Sequence, residues 1–166
     1  AFVAWSYPPD TFGLTEQAII QNLEVKMYYN AVAVSYPAFK GKFGSKVEGV
    51  FGAGGVDQSS PKIQEYFKAH KEITGKAADS WASANTYASL EILGQAIEGA
   101  GTLDRKTVTQ YIKDNTFDTI MGPISFDNQI SNKYWTVGQY QDGEFRGVKS
   151  SQMDGAAPIV AKDGWN

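Results

Sequence analysis

Residues 81–101, with the sequence WASANTYASLEILGQAIEGAG, contain the longest helical pattern in the chain. Apolar residues recur there at three- and four-residue spacing, which predicts an amphipathic helix with one apolar stripe. Gly99 and Gly101 are typical stop signals at its C-terminal end. Several residues of the stripe are small, so we expect a neighbouring element to pack closely. The stripe consists of Ala84, Tyr87, Ala88, Leu90, Leu93, Ile97 and Ala100.

Polar residues surround a tryptophan at the start of this predicted helix. Asp79 and Ser83 flank Trp81 at short spacing. A tryptophan beside hydrogen-bonding groups suits ligand binding. The same residues suit a helix cap next to a packed tryptophan equally well. Both interpretations remain open from the residues alone.

The composition predicts a globular protein of one domain, or two small ones. The chain has 166 residues, of which 42% are hydrophobic and 20% are charged. Its net charge is −3, so it has no basic excess with which to bind nucleic acid. No apolar run reaches the roughly 18 residues of a membrane span. The absence of cysteine excludes disulfides, thiolate metal sites and cysteine nucleophiles.

The order of the remaining patterns predicts an α/β fold. Strands and helices alternate in the first part, which favours a parallel sheet. Asp142-Gly143 predicts a hairpin turn near the C-terminus, and residues 151–166 form a loop-like tail. The first strand is apolar from its first residue, so we expect it to be buried and more chain to precede it. Strands are predicted at residues 2–6, 25–34, 47–51, 122–127, 134–140 and 145–148, helices at 11–23, 60–75, 81–101 and 103–115, and one helical turn at 36–39.

Residues suited to catalysis or metal binding are sparse. His70 is the one histidine, and no Gly-x-Ser-x-Gly motif precedes it, so neither a catalytic triad nor a zinc site is expected. The predicted helix at 60–75 places His70 on its inner face with Ile63 and Ile73. The glycine-rich residues 52–55 lack the third glycine of a dinucleotide loop, which favours a crossover or hinge. We expect no cofactor and no metal.

Aromatic residues gather at the ends of two predicted strands. Trp5 and Tyr7 follow the first strand, and Tyr29 and Asn30 lie in the second. Ligands of open α/β sheets bind beyond the carboxyl ends of the strands. These residues could therefore form one wall of a cleft, or alternatively pack their rings into a core.

An ordered set of short motifs spans nearly the whole chain. The chain resembles the C-terminal half of solute-binding proteins of bacterial ABC importers, in the leucine/isoleucine/valine-binding family. The resemblance implies the type I periplasmic-binding fold. The motifs are the strand and Pro-Asp-x-x-Gly helix of residues 2–13, VEGVFGAGG leading into Ser60-Pro61, Tyr87-Ala88, residues 95–98, 101–105 and 117–119, Gly122-Pro123, Phe126-Asp127, and WTVGQYQDG.

The resemblance implies two lobes joined by crossovers. Residues 1–53 would form part of lobe two, residues 54–130 part of lobe one, residues 131–150 a return to lobe two, and residues 151–166 a tail near the hinge. The crossovers would lie near residues 52–58 and 128–135. Family members are about twice as long, so the missing N-terminal half of the same protein is an expected partner.

The resemblance also implies a set of ligand-binding residues. The family uses the end of the opening strand and the start of the long lobe-one helix. Amino-acid binders place a glutamate on the second strand for the ligand ammonium, and this sequence has none there. A buried ammonium without that partner is costly, which disfavours an amino acid ligand. The matching positions here are Trp5, Ser6, Tyr7, Tyr29, Asn30, Asp79, Trp81 and Ser83.

The function implied is an extracytoplasmic binding component that delivers its ligand to an importer. Two lobes would close on a small-molecule ligand, an aromatic or other organic acid rather than a branched amino acid. The membrane permease subunits would recognise the closed form, and no bond would be broken. The protein would be periplasmic, or extracytoplasmic and lipid-anchored in a Gram-positive bacterium. A ligand-sensing receptor domain and a self-contained α/β enzyme domain remain alternatives.

Overall fold

A computed structural model gives the structure, which describes residues 1–131, 134–150 and 155–165. Strands and helices alternate over the first third, three helices follow, and the last long strands form a hairpin. The helices are α1 (Pro8–Ile20), α2 (Pro37–Phe43), α3 (Pro61–Thr74), α4 (Ala82–Ala100) and α5 (Arg105–Asp114), with a 3-10 turn at Gly44–Val47. The strands are β1 (Phe2–Ala4), β2 (Tyr28–Asn30), β3 (Val50–Ala53), β4 (Phe117–Thr119), β5 (Gly122–Ile124), β6 (Trp135–Gln141) and β7 (Glu144–Ser150).

Five strands form the main sheet, in the order β1-β2-β3-β6-β7. The first three are parallel, with Phe2 opposite Tyr28 and Tyr28 opposite Val50. β6 then runs antiparallel to β3 and pairs with β7 as a hairpin. Asp142 and Gly143 at its turn both have positive φ, as a tight hairpin turn requires. The predicted α/β fold, with a parallel sheet, flanking helices and a C-terminal hairpin, is confirmed.

The two largest of the three buried clusters organise the described part of the chain. The sheet region packs α1, α2 and the tail against the main sheet, with Tyr28, Phe39 and Val50 fully buried. The helical region packs α3, α4 and α5 with the β4–β5 pair. Gln95 of α4 binds the β4–β5 pair at Asp118. Its Nε2 donates to the Asp118 carbonyl, and its Oε1 accepts from the Asp118 N–H. The two regions thus have separate apolar cores.

Several strand predictions were wrong in extent or burial. Among the described strands β1 is an edge strand, and it is only half-buried, with Val3 54% exposed. The predicted strand at residues 25–34 shrinks to three residues, and Ala33 beyond it takes a left-handed φ of 77°. The turn predicted at residues 36–39 is a full helix that begins at Pro37, where proline suits the first helical turn. The short strands β4 and β5 pair with each other, and β4 was not predicted.

The buried faces of α3 and α4 also differ from the prediction. In α4 the buried residues are Ala84, Ala88, Ile92 and Ala96, four apart. Tyr87, Leu90 and Leu93 of the predicted stripe are 44–62% exposed, and Ile73 of α3 is 84% exposed. α4 is apolar on more than one side. Its sequence pattern alone therefore could not identify the face that contacts α5 and the β4–β5 pair.

The glycine-rich crossover and the tail connect the two regions. At the crossover, Gly147 donates its N–H to the carbonyl of Val56, and Gly55 donates to Ser80. The second predicted crossover, at residues 128–135, and the predicted tail each lie partly outside the described residues. Within the described tail, Ala157 donates to Gly147 and Lys162 donates to the carbonyl of Lys26. No helix in the described part of the chain is long and apolar enough to span a membrane.

Candidate functional site

The first group of candidate residues lies at the carboxyl ends of β1 and β2. Trp5 and Tyr7 are 83% and 76% exposed, and they flank the point where β1 leads into α1. Tyr29 is buried, and its ring meets that of Trp5 edge to face, with centroids 5.6 Å apart. Burial raises the pKa of the Tyr29 hydroxyl above its ordinary value. This surface therefore offers aromatic faces.

A buried polar network lies behind these rings. The Ser6 and Thr11 hydroxyls are 2.7 Å apart, and Ser6 Oγ lies 3.2 Å from Asn30 Oδ1. Asn30 is fully buried and also donates from Nδ2 to Thr15 Oγ1 at 3.4 Å. Thr11 Oγ1 donates to the carbonyl of Val32 at 2.7 Å, which ties α1 to the loop after β2. Ser6 and Asn30 thus bond within the protein and fix the base of the aromatic surface.

The second group of candidate residues lies at the start of α4. The Asp79 carboxylate accepts hydrogen bonds from the backbone N–H of Trp81 at 2.8 Å and of Ser83 at 3.1 Å. The Ser83 hydroxyl donates back to the Asp79 carbonyl at 2.8 Å. These bonds satisfy backbone N–H groups that a helix start leaves unpaired. The positive end of the helix dipole also stabilises the negative charge of the carboxylate. Asp79 and Ser83 therefore anchor the helix.

Trp81 packs onto the glycine-rich crossover. A Cβ added to Gly54 would lie 2.5 Å from Trp81 Cβ and Cγ, so the tryptophan occupies the space that the glycine leaves. Gly54 also has a φ of +88°, which disfavours any other residue. The Gly55 N–H donates to the carbonyl of Ser80, which also holds the crossover against the residues before α4. Trp81 is partly buried and joins the helical region to the crossover.

Backbone hydrogen bonds place the two groups at the same end of the sheet. Ala31, just after Asn30, donates to the Ala4 carbonyl, and Ala53 donates to Ala31 at 2.8 Å. Ala53 ends β3 and leads into Gly54, on which Trp81 packs. The carboxyl ends of β1 and β2 therefore carry candidate residues, and Trp81 packs beside the carboxyl end of β3. This is the edge at which open α/β sheets bind ligands.

The sequence reasoning missed three hydroxyl residues of this edge. Thr11 and Thr15 lie four apart on the buried face of α1, a spacing that is visible in the sequence. Their roles as partners of Ser6 and Asn30 depend on the packing of α1 against β2. Ser35, in the loop after β2, is buried, and its Oγ has no hydrogen-bond partner in the described part of the chain.

The described residues offer little for catalysis or metal binding. Across residues 1–131, 134–150 and 155–165, no three His, Cys, Asp or Glu side chains are grouped to hold a metal ion. His70 lies on α3, where Nδ1 is 3.0 Å from the carbonyl of Lys76. The candidate site is thus a surface of aromatic rings and engaged hydroxyl and amide groups.

A family model described as periplasmic binding protein matches residues 1–144. The chain belongs to the periplasmic binding protein family. The resemblance inferred from the motifs is therefore confirmed. A search of curated proteins finds no match.

Solved structures of such periplasmic binding proteins share the fold. A leucine-binding protein of Thermotoga maritima superposes with a TM-score of 0.69 and 21% identity, over 92% of this chain and 44% of its own. A solute-binding protein of R. palustris, in complex with benzoate, superposes with a TM-score of 0.72 and 11% identity. The match covers 95% of this chain and 44% of that protein. A leucine-, isoleucine-, valine-, threonine- and alanine-binding protein of Brucella ovis, in a closed conformation, superposes with a TM-score of 0.73 and 16% identity. The match covers 95% of this chain and 44% of that protein. The chain thus spans less than half the length of these proteins, and the likeness shows the type I periplasmic-binding fold.

Proposed function

We propose that the chain is the C-terminal half of the extracytoplasmic solute-binding component of an ABC importer. The family membership supports a binding role, and the similar structures come from ABC-transporter binding proteins. Residues 1–53 and 131–150 belong to lobe two, residues 54–130 to lobe one, and residues 151–166 form the tail. The separate apolar cores of the sheet and helical regions support this division, with the difference that Trp135 at the start of β6 is buried in the helical core. The protein acts outside the cytoplasm, periplasmic or lipid-anchored, and catalyses no reaction.

The ligand is a small organic acid, and an aromatic acid is favoured over a branched amino acid. The observation that carries this is the exposed Trp5 ring, which packs edge to face on Tyr29, together with the exposed Tyr7 two residues further along. An aromatic ligand can stack on these rings, and each ring pair contributes about 0.5–1.5 kcal/mol beyond its buried area. The benzoate complex of the R. palustris protein shows that this fold accommodates such acids.

The polar groups near this surface also disfavour an amino acid. An ammonium group needs an acidic or carbonyl partner when it is buried. Asn30 Oδ1 already lies within hydrogen-bond distance of Ser6, and the Asp79 carboxylate accepts from the start of α4. Both groups are thus already engaged as acceptors, although each keeps a spare lone pair, and β2 (Tyr28–Asn30) carries no carboxylate that could pair with an ammonium. The lobes close around the glycine-rich crossover, and the permease subunits recognise the closed protein.

The experiment is calorimetric titration of the protein, carrying both halves, with benzoate, 4-hydroxybenzoate and leucine. We expect the aromatic acids to bind and Trp5→Ala to weaken that binding roughly tenfold, since stacking contributes about 1.4 kcal/mol. The matched control is Ile20→Ala, which removes an exposed side chain at the far end of α1. Tight leucine binding that is indifferent to Trp5→Ala would overturn the proposed ligand class.

A further inference from the structure

The start of α1 has no side-chain cap. Pro8 and Pro9 carry no N–H group, and the side chain of Tyr7 makes no capping hydrogen bond. Thr11, in the first turn, donates its backbone N–H to the Tyr7 carbonyl at 2.9 Å. Thr11 is fully buried, and its hydroxyl makes its hydrogen bonds outside the helix. This hydroxyl therefore links α1 to the segments that pack beneath it.

The Thr11 hydroxyl joins the loops after β1 and β2 through bonds of fixed direction. The Val32 carbonyl can only accept, so Thr11 donates its single proton there, at 2.7 Å. In the 2.7 Å contact between Thr11 and Ser6, Thr11 Oγ1 is then the acceptor and Ser6 the donor. The Ser6 proton is shared with Asn30 Oδ1, which is farther away at 3.2 Å. One buried oxygen atom thus holds both loops.

The main chain holds these loops less tightly than the strands before them. The Ala31 N–H donates to the Ala4 carbonyl at 3.0 Å and continues the parallel pairing of β1 with β2. The next bond, from the Val32 N–H to the Ser6 carbonyl, is 3.3 Å long, which is beyond the usual range for such bonds. The pairing therefore weakens where the aromatic residues begin, and the Thr11 hydroxyl bridges the same two loops at 2.7 Å on each side.

The bridge lies next to the candidate aromatic residues along the chain. Ser6 is flanked by Trp5 and Tyr7, and Val32 follows Tyr29 by three residues. Trp5 is 83% exposed, and its ring meets Tyr29 with centroids 5.6 Å apart and planes at 65°. A ring this exposed has few packing contacts of its own. Its orientation therefore depends on the backbone that Ser6 fixes.

We propose that Thr11 is a positioning residue that orients the Trp5 ring for stacking on a flat aromatic ligand. Thr11 is fully buried, so its hydroxyl acts through Ser6 and Val32. Aromatic rings attract one another in preferred offset or edge-to-face arrangements, so a misaligned Trp5 gains less from a flat ring. The proposal rests on the proposed function and names the residue that sets its preference for aromatic over non-planar acids.

The experiment is a double-mutant cycle between Thr11→Val and Trp5→Ala in the protein carrying both halves. Calorimetry measures the binding of benzoate and of cyclohexanecarboxylate, its non-planar counterpart. Thr11→Val should weaken benzoate binding roughly threefold to tenfold, in the range of one hydrogen bond, and leave cyclohexanecarboxylate binding unchanged. Thr11→Ser, which keeps the hydroxyl, should restore the benzoate affinity. In the Trp5→Ala background, Thr11→Val should have no further effect.

Thr119→Val is the matched control. Thr119 is also buried and donates to the Gly122 carbonyl at 2.7 Å, but it lies in the β4–β5 pair. Its substitution should leave the benzoate affinity unchanged. Equal losses from Thr11→Val with and without Trp5 would overturn the proposal, because they would show a general structural role. If Thr11→Val does not fold, Ser6→Ala removes the other end of the contact and should show the same dependence on Trp5.

A measurement without ligand separates this proposal from the proposed ligand class. The near-ultraviolet circular dichroism that Trp5→Phe removes reports how the Trp5 ring sits against Tyr29. We expect Thr11→Val to lose most of that signal and Thr119→Val to keep it. An unchanged signal in Thr11→Val would overturn the positioning role. If benzoate does not bind, the ligand class fails, and this signal still decides the role of Thr11.

Discussion

The sheet region and the helical region solve the same packing problem differently. Both bury an apolar core, but the sheet region is covered by the chain's own tail, where Lys162 and Trp165 are 3% and 4% exposed. The helical region leaves Tyr87 and Leu90 of α4 in solvent. The difference teaches that the sheet region closes its core with a segment distant along the chain, whereas one side of α4 faces solvent.

Side chains fasten the tail to the sheet region. The Trp165 indole N–H donates to the carbonyl of Leu23 at 2.9 Å, and its ring meets Tyr28 edge to face. The Lys162 ammonium donates to the carbonyl of Glu48 at 2.9 Å and lies 3.9 Å from the centre of the Trp165 ring. These buried contacts make the tail an integral part of the core.

The largest expected effect tests this contrast directly. Trp165→Ala should lower the free energy of unfolding by about 3–5 kcal/mol, because it empties a buried aromatic site. Leu90→Ala, on the open face, should change it by about 0.5 kcal/mol or less in the chain alone. Urea unfolding followed by circular dichroism measures both. Equal losses would remove the distinction between the covered and the open region.

A smaller effect is expected where the two regions meet. Gly54→Ala should cost about 2–4 kcal/mol, since it combines a left-handed φ with overlap against Trp81. Gly101→Ala is the control, because Gly101 also has positive φ but has open space around it, and about 1 kcal/mol is expected. Thermal unfolding of both variants makes the comparison. Equal costs would show that Trp81 does not constrain the crossover.

The smallest effect depends on pH. Burial lowers the pKa of Lys162 to about 8, whereas an unfolded lysine titrates near 10.4. Between these values the unfolded chain binds more protons, so the free energy of unfolding rises with pH. Relative to Lys162→Met, the wild type should gain roughly 1–2 kcal/mol between about pH 7 and about pH 10.

Denaturant unfolding of both proteins across this range measures the gain. Their difference cancels the titration of groups that the two proteins share. A difference that stays constant with pH would mean that Lys162 keeps an ordinary pKa, and that the tail does not bury its ammonium.

Local signals predicted many of the elements. α3 begins at Pro61 as expected, although the Ser60 side chain does not cap it. Asp104 caps α5 by accepting from the Thr107 N–H at 3.0 Å, and this bond lowers the pKa of its carboxyl group. The hairpin turn at Asp142 was likewise predicted from a dipeptide. Such capping and turn signals depend on a few residues that are adjacent in sequence. They therefore do not depend on how the rest of the chain packs.

The candidate site was predicted only in part. The ends of the first two strands do bring Trp5 and Tyr29 into contact, as the parallel order implied. The engagement of Asn30 by Ser6 was not predicted, whereas the hydrogen bonds that Asp79 accepts at the start of α4 match one of the two interpretations left open, a helix cap next to a packed tryptophan. Which polar atoms remain free depends on neighbours that are distant along the chain.

By itself, the sequence determined the family, the parallel order of the first strands, and the places where helices begin and turns form. These depend on apolar periodicity, caps and turn residues. Tertiary structure alone decided which side of α4 is buried, since its apolar residues lie on both sides. It also decided that β1 is an exposed edge and that the tail seals the sheet region. Burial depends on which layers of helices and strands pack together. The spacing of apolar residues along a helix is the same whether or not a second layer covers them.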